Sequence, residues 1–169
     1  MKKTIFLIMW YIMGAVTANA QKFALIDMEY IMENIPAYQQ ATNQLNQLSQ
    51  RYQKEVEAKA KEAENLYKAY QKNAASLNAS QKNQQEEAII AKEKEAMELR
   101  QKYFGAEGEM SKQQEALLSP IQDRIYEAVK QISIQRGYDV VLDRASASSI
   151  IFASPKIDIS SDVLSKLGY

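Results

Sequence analysis

Histidine and cysteine are both missing from this chain, and each absence closes off chemistry. Without histidine there is no Ser-His-Asp triad, without cysteine no thiol nucleophile, and without either no zinc site of the usual kind. Disulfides cannot hold the fold in any compartment. Carboxylates, hydroxyls, lysine and tyrosine are all that remain for catalysis, and no glycine-rich phosphate loop occurs among the five glycines. Neither sign of charge is in excess, with 21 Lys+Arg against 21 Asp+Glu, so the basic footprint of a nucleic-acid binder is lacking. Proline is scarce: none of the three falls between Tyr38 and Ser119, which leaves room for long unbroken helices. An enzyme is not expected, nor a cofactor.

Long apolar runs are limited to one, Ile5 to Val16, which follows Lys2 and Lys3 and precedes Ala18-Asn19-Ala20. This is the basic, apolar and small-x-small layout of an export signal, and the run falls short of the ~20 residues needed to span a bilayer. Cleavage is expected after Ala20, and Gln21 in place of a cysteine argues against a lipid-anchored product. Loss of the two lysines leaves 19 basic and 21 acidic residues, a formal charge of −2. The mature chain reads as a soluble exported protein with no stable membrane insertion.

Its fold class reads as α+β. Lys22 to Asp27 suits a buried strand that turns at Asp27, which can cap a brief helix from Met28 to Asn34, and Pro36 stands where a helix uses it first. Apolar residues then recur at Tyr38, Ala41, Leu45, Leu48, Tyr52, Val56, Ala60, Ala63, Tyr67, Tyr70, Ala74 and Leu77, in steps of three and four that approach a heptad seam. Asn78 can reverse the chain and Ser80 cap a second helix, whose apolar pattern runs from Ile89/Ile90 through Met97, Tyr103/Phe104 and Met110 to Leu117/Leu118. This predicts an antiparallel helical-hairpin arm, residues 41–119 with its tip near 75–80, that pairs Tyr67 with Ile90, Ala60 with Met97 and Tyr52 with Gly105. Ser119-Pro120 marks the return, Pro120 starting a helix that stops at Arg136-Gly137. Residues 138–143 and 149–153 read as strands paired in a hairpin, before a last short helix from Asp162 to Leu167 closed by Gly168. Residues 21–40 and 120–169 would then form a discontinuous β-rich body. At about 70 residues such a body seldom buries enough apolar surface alone, so Phe23, Leu25, Val140, Leu142 and Ile151 are expected to complete it between subunits.

The best catalytic constellation on offer is Asp27, Asp139, Asp143 and Asp158, but carboxylates at strand ends are common turn and cap residues. A structural role is therefore expected for all four. In the arm, neighbouring apolar residues cannot all enter one narrow seam, so some of Tyr67, Tyr70, Leu77, Ile89, Ile90, Met97, Tyr103 and Phe104 must form an exposed flank suited to weak binding of apolar segments. Gly105 and Gly108 are the only glycines there and are hinge candidates, or sites where packing demands a missing side chain. With 12 basic and 12 acidic residues between Pro36 and Ser119, the arm should offer little net field for steering a partner.

Phe23-Ala24-Leu25-Ile26-Asp27, the Ile35-Pro36 entry to a long hairpin, Gly137 to Asp143, Ile150 to Ala153 and Asp158 to Val163 together resemble the OmpH-like (Skp) family of periplasmic outer-membrane-protein chaperones. The resemblance implies a periplasmic homotrimer whose three arms enclose unfolded outer-membrane β-barrel proteins and keep them from aggregating, without ATP. The best-known members are strongly basic, whereas this mature chain is slightly acidic, so capture by net positive charge and any lipopolysaccharide site are not carried over. The competing reading is a trimeric coiled-coil spacer or scaffold that binds one folded envelope partner.

Overall fold

Two four-residue strands, β1 (Phe23–Ile26) and β2 (Val140–Asp143), pair in parallel, Phe23 opposite Val140 and Ile26 opposite Asp143. Parallel strands need a long crossover, and here almost all of the helix in the chain supplies it. The computed structural model describes residues 21–147 and 149–169; the expected export signal at 1–20 and Ser148 lie outside them. Between the strands run α1 (Met28–Glu33), α2 (Pro36–Asn73), α3 (Ala79–Phe104) and α4 (Glu109–Arg136), and α5 (Ser160–Leu167) closes the chain.

The expected strand at residues 149–153 is not formed, and the hairpin with it is replaced by the β1–β2 pairing. A segment further on takes the free edge of β1, where the Ile159 N–H donates to the Leu25 carbonyl at 2.8 Å and Leu25 bridges Asp158. Leu25 is buried, while Ile151 is fully exposed at 100 % and Phe152 at 84 %.

Side chains alternate across the sheet. Ala24, Ile26 and Val141 face a core completed by Ile31 and Ile35, by Ile121, Ile125, Ala128 and Ile132 of α4, and by Ile159, Val163 and Leu164. The α4 residues recur in steps of four, three and four, the stripe that lays one helix face on a sheet. Fully burying a side chain such as Ile125 or Val163 contributes about 1.5–3 kcal/mol. Caps set the entries and exits: the Asp27 carboxylate accepts from the Tyr30 N–H, Pro36 begins α2, and Gly137, at φ 67°, ends α4 in the left-handed conformation.

The long helices depart from expectation at their ends. α2 has 38 residues, so it runs roughly 57 Å at 1.5 Å per residue. The cap of α3 is Asn78, not Ser80: its side chain accepts from the Gln81 N–H, and Gln81 reaches back to the Asn78 N–H, both at 3.0 Å. α3 stops at Phe104 and α4 begins at Glu109, so the two glycines lie in a break between helices, not inside one. Pro120, expected to open a helix, sits within α4. Its missing N–H removes one rung there without ending the helix.

Candidate binding surfaces

α3 shows how its helix is seated. Its buried and half-buried positions are 82, 85, 89, 92, 96, 99 and 103, which alternate steps of three and four without a slip. Lys82, Gln85 and Lys92 belong to this seam, half-buried as long polar side chains are when their aliphatic stems lie along a surface. That is why apolar spacing alone missed it. On α2 the facing positions include Tyr52, Val56, Lys59, Ala63 and Tyr70.

Cross-helix contacts follow one order. Tyr70 donates its hydroxyl hydrogen to Glu86, Lys92 approaches Glu62 at 3.8 Å, Lys59 approaches Glu95 at 3.8 Å, and Tyr103 donates to Glu55. The Tyr52 ring stacks on Tyr103 at 3.8 Å between centroids and meets Phe104 edge-on at 6.4 Å. Tyr52 was expected opposite Gly105, and it sits against the two residues before it. Gly105 is small for another reason: a Cβ there would strike the carbonyl of Gln101, one turn back in its own helix.

The two flanks of the paired helices differ in character. One is closed by charge: Lys59, Glu62, Lys92 and Glu95 form a four-membered network, with Lys92 at 2.8 Å from Glu95, and Arg51 adds a contact to Glu55 at 3.9 Å. The hydrogen bond from Lys92 holds the Glu95 carboxyl below its usual range, and the same bond raises Lys92. Each exposed pair contributes little to stability, but together they leave this flank with few unmet charges.

The other flank is apolar with a carboxylate rim. Gln53, Val56, Glu57, Arg100 and Phe104 line one shallow groove, and Ala60, Ala63, Glu64, Tyr67, Glu93 and Ala96 line a second. Ile90, Met97 and Phe104 recur every seven residues and so share this side of α3; Met97 is 71 % and Ile90 61 % exposed. The eight arm residues singled out from sequence therefore separate. Tyr67, Ile90, Met97 and Phe104 lie on the open flank. Ile89 is buried in the seam, Tyr70 and Tyr103 are half-buried with their hydroxyls on carboxylates, and Leu77 is half-buried in the link before α3.

A second unpartnered apolar surface lies at the sheet. Phe23, Val140 and Leu142 are exposed on the face turned away from the core, and Ile151 and Phe152 are exposed nearby in sequence to β2. Of the five residues expected at a subunit interface, only Leu25 is covered within the chain.

The aspartates are structural. The Asp27 carboxylate caps α1 and pairs with Arg144 at 3.0 Å, and Arg144 also reaches Asp158 at 3.2 Å. Asp158 accepts from the Ser160 hydroxyl at 2.6 Å, and Ser160 accepts in turn from the Asp27 N–H at 2.8 Å. Asp139 accepts from the Lys22 N–H at 2.9 Å. Partial burial pushes the Asp143 carboxyl up, but hydrogen bonds from the Met28 N–H and from Ser146 and Ala145 outweigh it and hold the group below its usual range. Among the described residues no group of three or more acidic side chains is placed to hold a metal ion, and no described helix is long and apolar enough to cross a membrane.

Residues 22–167 match the family described as Outer membrane protein (OmpH-like). Among curated proteins the chain is similar to the chaperone protein Skp of Yersinia enterocolitica, 23 % identical over 154 residues, 91 % of this chain and 90 % of that protein. It is likewise 23 % identical to the Skp of Pectobacterium atrosepticum over 148 residues, 88 % and 86 % of the two chains. A crystal structure described as an OmpH-like outer membrane chaperone from Caulobacter crescentus superposes with a TM-score of 0.66 at 17 % identity, covering 87 % of this chain and 83 % of that one. That likeness is one of fold.

Proposed function

The chain belongs to the OmpH-like family, and from that premise we propose that it is an ATP-independent periplasmic holdase for unfolded outer-membrane β-barrel proteins. The observation that carries the reading is the open flank, where Tyr67, Ile90, Met97 and Phe104 stay exposed although the helices beneath them are well paired. Large apolar side chains left in water along a helix pair suit shallow, repeated contacts with a chain that has no fixed shape. We read α2 and α3 as an antiparallel hairpin arm. Contacts of 70 with 86, 59 with 95 and 52 with 103 support this, since their separation in sequence grows with distance from the link.

Three chains would associate through the exposed sheet face, Phe23, Val140 and Leu142 with Ile151, on a body formed by residues 21–40 and 120–169. Their arms, residues 41–119, would then bound a cavity. The names of the Yersinia and Pectobacterium relatives support a chaperone over an enzyme. Export by the signal at residues 1–20 would place the mature chain in the periplasm.

Light scattering tests the reading. Several unrelated outer-membrane β-barrel proteins are diluted from urea with and without the mature chain, and scattering should fall for all of them. If no barrel protein is protected while one folded envelope protein co-purifies in fixed ratio, the chain is a spacer.

A further inference from the structure

The charges of the arm balance in number but not in place. On the closed flank bases and acids neutralise each other, whereas the two grooves of the open flank are lined by Glu57, Glu64 and Glu93 with one base, Arg100, and Glu86 lies seven residues before Glu93 on the same side of α3. Glu64 is engaged by Lys68, and Glu86 by the Tyr70 hydroxyl. Glu57 and Glu93 have no ion-pair partner among the described residues. Glu93 lies one helical turn from both Ile90 and Met97, so its carboxylate borders the most exposed apolar side chains on α3.

Taking the chain to hold unfolded polypeptide as proposed above, we infer that this flank selects segments in which large apolar residues are flanked by lysine or arginine. The two grooves lie seven residues apart on α2, Val56 to Ala63, or roughly 10 Å. An extended chain covers that span in about three residues at ~3.3 Å each. A basic residue beside an apolar anchor then lies within reach of Glu57, Glu86 or Glu93. The same carboxylates repel phosphate and acidic segments. The balanced total predicted little electrostatic preference; the separation of the charges between flanks creates one.

Fluorescence anisotropy with the mature chain tests this. Three labelled, unstructured peptides of about twelve residues share one Leu/Phe core and carry Lys, Ser or Glu on either side of it. At low salt the Lys peptide should bind about fivefold or more tighter than the Glu peptide, a gap that screening at ~0.3 M salt narrows. In Glu86→Gln/Glu93→Gln the gap should shrink to about twofold. In Ile90→Ser/Met97→Ser all three peptides should weaken together by several fold. Equal binding of the three peptides, or a preference unchanged in the glutamine variant, overturns the inference. So does full-strength binding by the serine variant. The holdase reading fails separately: if the peptide preference holds but scattering of barrel proteins is not suppressed, the flank stands and the chaperone role falls.

Discussion

Asp143 is where strand, helix and loop are tied together, because its carboxylate accepts from the Met28 N–H at the start of α1 and from the Ala145 N–H beyond β2, each at 3.1 Å. Its carboxyl is held low when folded, and the hydrogen bond from Arg136, at 2.6 Å, does the same for Asp162. A folded pKa below the unfolded one adds stability at pH above the ordinary carboxylate range, about 4, and that stability is lost as pH falls through the depressed value. The urea midpoint should therefore stay level from about pH 8 to 5 and decline below about 4. Asp143→Asn should cost about 1 kcal/mol at pH 7 and flatten the acid decline, as read from urea titrations at pH 7 and pH 3. An acid limb identical in the variant would show that Asp143 contributes no such linkage.

At the scale of elements, the break at residues 105–108 separates α3 from α4, while α2 is uninterrupted from Pro36 to Asn73. A Cβ at Gly108 would come within 2.8 Å of the Tyr103 carbonyl oxygen and 2.9 Å of the Gly105 backbone, and one at Gly105 would strike Gln101. Backbone cannot give way as a flexible side chain can. Gly105→Ala with Gly108→Ala should lower stability by about 1–3 kcal/mol, measured by thermal melting. A higher melting temperature would mean that alanine extends α3 into α4 and that the glycines serve as a soft hinge.

What could be read from sequence follows from how local each signal is. Asp27 as a cap, Pro36 at a helix start and Gly137 at a helix stop act through atoms a few residues away, and the structure uses all three. The α3 seam escaped because polar stems fill three of its seven places, and the break between α3 and α4 escaped because helical spacing continues on both sides of it. Ile150-Ile151-Phe152 has the composition of a strand, but β1 offers one free edge and the segment around Asp158 takes it. The open flank was legible as a necessity, since adjacent apolar pairs could not share one seam. Which residues fall on it depended on the register between α2 and α3, a long-range property that spacing within one helix does not fix.

For the whole molecule, we propose that exposed sheet and exposed flank do different work: one joins chains, the other meets unfolded clients. Val140 is exposed in the single chain, so an aspartate there should leave the monomer folded yet set a charge in the face between subunits, where an unpaired charge is strongly destabilising. Sedimentation should show Val140→Asp as a monomer and the unaltered chain as a trimer. The most direct test combines this with function: an unfolded outer-membrane barrel protein is diluted from urea into increasing amounts of either chain while scattering is followed. The unaltered chain should abolish scattering near three chains per client, and monomeric Val140→Asp should fail at the same chain concentration. Failure of the unaltered chain at every ratio, or equal protection by the monomer, would contradict this division of work between sheet and flank.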